Sequence, residues 1–173
     1  MPVRRIVFYP DPILLRPTEP VGDVNDSVRE LVADMVETMH AAPGIGLAAN
    51  QIGVGLRVAV VDLSVGETQG ELHVLINPTI LEQGGRQVGE EGCLSLPGIT
   101  TDVTRPAWVR VEALDLQGRR REIRAVELLA RALCHEIDHL DGRLYLYRLS
   151  ALKRNRLKRE IHKAIDAGEW GGA

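Results

Sequence analysis

Residues 135–139 read His-Glu-Ile-Asp-His, and no other stretch limits the fold so tightly. Positions i and i+4 lie above one another on an α-helix, so a helix here lets His135 and His139 put both imidazoles on one metal ion. Glu136 would stand beside them as a candidate general base. A hydrolytic metal site usually takes three protein ligands and keeps one position open for water. The third ligand is not in the pentapeptide, so the rest of the chain must fold to deliver it.

The chain of 173 residues fits one domain, 1–173, with apolar residues at 45% and charged residues at 26%. Aromatic residues make up only 3%, with Phe8 the single phenylalanine, so the core must be built from Val, Leu, Ile and Ala. A net charge of −3 gives no argument for DNA or membrane binding. No apolar run approaches the length of a membrane span. The start, MPVRRIVFYP, has neither a long apolar stretch nor a small-residue cleavage site, which predicts no signal peptide and a cytoplasmic location. With two cysteines, Cys93 and Cys134, metal ligation, catalysis or burial is expected rather than a disulfide.

Prolines 10, 12, 17 and 20 predict an extended arm with turns over the first 24 residues. Val28, Leu31, Val32, Met35, Val36 and Met39 recur at helical spacing, giving a helix from Ser27 to His40 capped by Asn25 or Asp26. A glycine- and alanine-rich loop follows over Gly44–Gly53. Leu56–Leu63 reads as a buried strand. Leu72–Ile76 and Thr79–Val88 read as two more, separated by Asn77-Pro78. Trp108–Leu114 and Arg119–Arg124 form a hairpin through Gln117-Gly118. Glu127–Leu140 carries HEIDH and ends at Asp141-Gly142. Ser150–Ala167 is a basic helix with Leu152, Leu157, Ile161 and Ile165 on its apolar side. The expected fold class is α+β: antiparallel sheets around a central HExxH helix, with an N-terminal and a C-terminal helix.

On the central helix, Leu128, Ala132, His135 and His139 form one stripe, so a metal would lie at the end of a face able to wall an apolar pocket. Two solvated or buried histidines are the bland alternative, weakened by a glutamate in the required place. Cys93, in a polar segment flanked by glycine and read as a loop, is either a small buried hydrophobe or a thiolate ligand, and its setting favours the ligand. The Gly44–Gln51 loop permits close backbone approach, and the Gln51 amide can donate to an oxyanion. A Rossmann reading fails, because no GxGxxG follows a strand.

Together, GIGLAANQ (44–51), EGCLS (91–95) and HEIDHLDG (135–142) resemble the peptide deformylase family, whose three motifs run in this order over nearly the whole chain. Family members commonly have Gln where this chain has Cys134. Adjacent helical residues diverge by about 100°, so Cys134 is not expected to ligate in place of His135.

The resemblance implies a metal held by Cys93, His135 and His139 with water in the fourth position, Fe²⁺ by expectation and Zn²⁺ as a less active occupant. The implied reaction removes the formyl group from the N-terminal formyl-methionine of nascent chains and releases formate. Metal-bound hydroxide would attack the formyl carbon, with Glu136 passing the proton to the leaving amine. Gln51 and the Leu94 backbone N–H would meet the oxyanion. The backbones of Ile45, Gly46 and Gly92 would pair with an extended peptide, while Leu128, Ala132 and the His135 ring would line a methionine pocket. The basic final helix is either a solvated face or a dock for ribosomal RNA. Two other readings are an HExxH metallopeptidase with a distant Glu ligand and a catalytically silent peptide-binding protein.

Overall fold

The computed structural model describes residues 2–171; Met1, Gly172 and Ala173 lie outside the described residues. Its largest element is a five-stranded antiparallel sheet in the order β1-β2-β3-β6-β7. These strands are β1 (Gly46–Ala48), β2 (Val58–Val61), β3 (His73–Gly84), β6 (Trp108–Leu114) and β7 (Arg120–Val126), and a separate hairpin pairs β4 (Gln87–Cys93) with β5 (Leu96–Arg105). The helices are α1 (Asp26–Ala41), α2 (Glu127–Leu140) and α3 (Ala151–Asp166). Among the described residues, no helix is long and apolar enough to cross a membrane.

Both faces of the central strands are covered, which is why β2 reads as an unbroken apolar run. Ala59 and Val61 pack with Val109, Val111 and Ala125 against Leu133 and Ile137 of α2. Val58 and Val60 point the other way and pack against Val28, Val32, Met35 and Met39 of α1. A third apolar cluster sits on the far side of the hairpin. There Leu96 and Val103 meet Leu144–Leu146 and, from α3, Leu157 and Ile161. α2 thus lies between the large sheet and the hairpin.

The expected elements form, with four differences. Gly44–Gly53, read as a loop, instead holds the edge strand β1 and a 3-10 turn over Ala49–Ile52. Leu72–Ile76 and Thr79–Val88 belong to one strand as far as Gly84, with an irregular register between Ile76 and Thr79. Asn77, at φ 52°, absorbs the irregularity and ties both amide atoms to Val21, at 2.8 Å each. Pro78 is tolerated because β2 pairs with β3 no further than Ile76. The Glu90–Gly98 stretch, read as a loop, is instead the end of a hairpin whose turn is Leu94-Ser95. Leu152 is 81% exposed rather than on the packed side of α3, because it lies off the Leu157–Ile161–Ile165 row. Local capping follows the sequence: Asn25 Oδ1 accepts from Val28 N–H at 3.1 Å, and Ser150 Oγ from Lys153 N–H at 3.3 Å.

Candidate metal centre and active site

α2 presents His135 and His139 on one face, and the hairpin brings the end of β4 against it. The Nε2 atoms of the two histidines stand 3.1 Å apart, and Cys93 Sγ lies 3.3 Å from His139 Nε2. The three ligand atoms fall within 4.8 Å of one another, the only such group of potential ligands among the described residues. A tetrahedral cation with typical bond lengths would separate two nitrogens by about 3.3 Å, and nitrogen from sulfur by about 3.6 Å. Two lone-pair nitrogens and a thiolate packed this closely need a cation or protons among them, so the donor set fits a divalent metal. The group that could hold a metal joins the two histidines to the Cys93 thiol, and among the described residues no glutamate belongs to it.

The two imidazoles are held differently. His135 Nδ1 faces Glu91 Oε1 at 2.8 Å, while His139 Nδ1 is buried with no partner among the described residues. Burial opposes charging of both rings. In His135 the bonds to Cys93 and Glu91 outweigh it and raise the pKa. In His139 burial prevails, reinforced by His135, and the pKa falls. Asn50, in the short turn after β1, donates to the His139 carbonyl at 2.6 Å and fixes that end of the helix.

Glu136 is 4% exposed, and among the described residues its Oε2 has no hydrogen-bond partner. Burial pushes its pKa up to about 7, against the pull of His135 and Arg105. Its other oxygen lies against Gly46, where a Cβ would overlap the carboxylate. Glycine at 46 is therefore needed for Glu136 to lie as it does. Gln51 accepts from Ala48 N–H at 2.9 Å, which turns its amide nitrogen toward Ser95 Oγ at 3.1 Å and Cys93 Sγ at 3.7 Å. Leu94 sits in the β4–β5 turn and, among the described residues, its N–H has no acceptor.

A cavity of about 490 Å³ opens over this centre. It is lined by Ile45, Gly46, Gln51, Gly92, Cys93, Leu94, Leu128, Ala132, His135 and Glu136, so all the expected site residues except His139 reach it. His139, 1% exposed, lies behind. β1 is an edge strand with its outer side unpaired, and Gly92 of β4 borders the same cavity.

The whole chain can now be set beside known proteins. The family model for polypeptide deformylase matches residues 3–155. The chain belongs to the peptide deformylase family. A peptide deformylase of Acidobacterium capsulatum is 54% identical over 170 residues, covering 98% of this chain and all of that protein. One from Alkalilimnicola ehrlichii is 48% identical over 97% of this chain and 94% of its own length. The crystal structure of a peptide deformylase from Legionella pneumophila superposes with a TM-score of 0.87 at 42% identity, over 96% of this chain and 98% of that one. The Ehrlichia chaffeensis peptide deformylase, solved in complex with actinonin, gives a TM-score of 0.86 at 40% identity, over 94% of this chain and 98% of that one.

Around this deformylase centre lie polar residues to which the sequence pattern assigns no role, although Glu91, Ser95 and Asp138 stand inside its motifs. Glu91, Arg105, Arg131, Asp138 and Ser95 are all under 10% exposed. Glu91 had a usable signal, because it precedes Cys93 by two positions and shares its face once 87–93 is read as a strand. Arg105 had none. The Arg105 and His135 hydrogen bonds hold the Glu91 carboxyl well below the usual carboxylate range, overcoming burial. Cys134 lies in the core against the sheet, outside the ligand group, and burial raises its thiol pKa to about 11.

Proposed function

We propose how this chain carries out the deformylation that its family performs, the hydrolytic removal of the N-terminal formyl group from new polypeptides. Cys93, His135 and His139 are the residues that would hold the metal. A divalent cation supplies Lewis-acid chemistry, lowering the pKa of water and polarising a carbonyl oxygen. The remaining steps belong to the protein. Glu136, buried on the wall of the cavity, takes the proton of the attacking water and hands it to the leaving amine. The Gln51 amide and the Leu94 N–H donate to the oxygen that gains charge.

The substrate peptide lies extended between the free edge of β1 at Ile45 and Gly46 and the strand end at Gly92. Backbone pairing reads no side chains, which suits an enzyme that must accept many nascent chains. Leu128, Ala132 and the His135 ring receive the methionine side chain. Residues 1–173 act as one catalytic unit. The single observation that carries this reading is the Cys93–His135–His139 cluster set beside Glu136 at one cavity, with His139 just behind its wall.

We infer ferrous iron as the working metal, with zinc a less active occupant, and the cytoplasm as the location. The six exposed or half-buried basic residues of α3 (Lys153, Arg154, Arg156, Lys158, Arg159, Lys163) support docking on ribosomal RNA. Ribosome co-sedimentation that survives deletion of residues 150–173 contradicts the docking. The catalytic reading is tested by anaerobic purification, metal analysis and formate release from a formyl-Met peptide. One equivalent of metal with formate release is expected; no formate with any divalent metal defeats it.

A further inference from the structure

We propose that Arg105 is a positioning residue for the metal centre, acting on His135 through Glu91; the proposal rests on the metal site described above. Arg105 closes β5 with its side chain 1% exposed, and it lines no part of the cavity. Its Nε donates to Glu91 Oε2 and its Nη2 to Glu91 Oε1, both at 2.9 Å. Its Nη1 donates to Asp138, which lies on α2 between the two histidines. Arg131 adds a third guanidinium N–H to Glu91 Oε2 at 2.6 Å, and Arg148 grips Asp138 from the other side at 2.7 and 3.0 Å.

The circuit links the two segments that carry ligands. Glu91 is on the strand that ends in Cys93, and Asp138 and His135 are on α2, so one guanidinium fixes the strand against the helix. Its fork also sets the direction of Glu91. With three N–H groups arriving, the carboxylate acts only as acceptor, and Oε1 turns to His135 Nδ1 at 2.8 Å. In a ring that ligates through Nε2 the proton would thereby be kept on Nδ1, with Nε2 directed at the His139 and Cys93 side of the group. Among the described residues, no carboxylate meets His139 Nδ1 in this way. Buried ion pairs are weak devices for stability, since apolar replacements often do as well. A circuit of buried charges that ends on a ligand is better explained by the ligand it orients.

The test uses the full chain and zinc, with affinity measured by chelator competition and folding of the metal-free protein by thermal melting. Arg105→Gln is expected to weaken zinc binding about 10- to 100-fold, the range for lost support of a ligating histidine. Arg105→Lys should recover part of this, because an ammonium keeps the charge and loses the fork. Since Arg105 acts through Glu91, adding Arg105→Lys to Glu91→Gln should cost little beyond Glu91→Gln alone. Unchanged zinc affinity in a folded Arg105 variant, or fully additive losses in the double variant, overturns the proposal. If Arg105→Gln does not fold, the cycle of Arg105→Lys and Glu91→Gln decides. A parent chain that binds no zinc fails the metal reading itself and is told apart by that control.

Discussion

α2 and α3 are both amphipathic helices rich in charged side chains, and the protein uses them in opposite ways. In α2, Arg131, Glu136 and Asp138 are each under 10% exposed, and both histidines are buried with them. In α3 only Leu157 and Ile161 are buried, and the basic residues face solvent or lie half-buried. A buried charge is costly unless it is paired, and a solvated one costs little. The sequence pattern makes both segments helical. Only the surroundings decide which set of charges becomes chemistry. The four buried polar side-chain atoms without partners among the described residues sharpen the contrast. They belong to Asn50, Arg131, Glu136 and His139, all at or beside the centre on α2.

That contrast can be broken in graded steps. The largest effect is expected from Cys93→Ala, which removes the donor that the hairpin contributes to the α2 site. Metal content should fall far below one equivalent and formate release with it; a normal metal content would show that another residue is the third ligand. Next comes Gly46→Ala, which pushes a methyl group into the Glu136 carboxylate. Overpacking of this kind costs about 1–3 kcal/mol, which, if it falls on the catalytic placement of Glu136, is roughly a 5- to 150-fold loss in kcat. Kinetics at saturating metal should show the loss with the metal still bound.

A smaller effect is expected in the metal-free protein as pH changes. Glu136 is raised to about 7 by burial, above its unfolded value, so folding favours its protonated form. Its contribution to stability is therefore complete below about pH 4.3 and is lost as pH rises toward 7. Melting of metal-free Glu136→Gln across this range should show a flatter profile than the parent. A bound cation favours the carboxylate and pulls the titration down. The smallest effect belongs to α3: reversing Lys158 or Arg159 should change stability by no more than about 0.5 kcal/mol. Turnover of a short formyl peptide should be unchanged.

Much of this arrangement is readable from the chain. The HEIDH spacing requires a helix, and β2 shows its two covered faces as an unbroken apolar run. Cys93, Gln51 and Gly46 stand in motifs whose residue types already suit the chemistry. The hairpin was not readable, because Gly89, Gly92, Gly98 and the acidic pair Glu90-Glu91 look like a loop. Its strands hold through the Arg105–Glu91 pair across the hairpin, through Arg131 of α2 and through the third apolar cluster, whose other members come from distant elements. Asp138 was legible as part of the motif, but its partners Arg105 and Arg148 come from other elements. Long-range pairing of buried charge leaves no periodic trace.

The central claim is that the buried carboxylate of α2 moves the proton while the ligands beside it hold the metal. Glu136→Ala, purified anaerobically and assayed for metal and formate together, tests it most directly. The expected result is about one metal per chain, with turnover reduced by roughly 10²- to 10⁴-fold, the usual contribution of a general base. Retained turnover at full metal content would contradict the account.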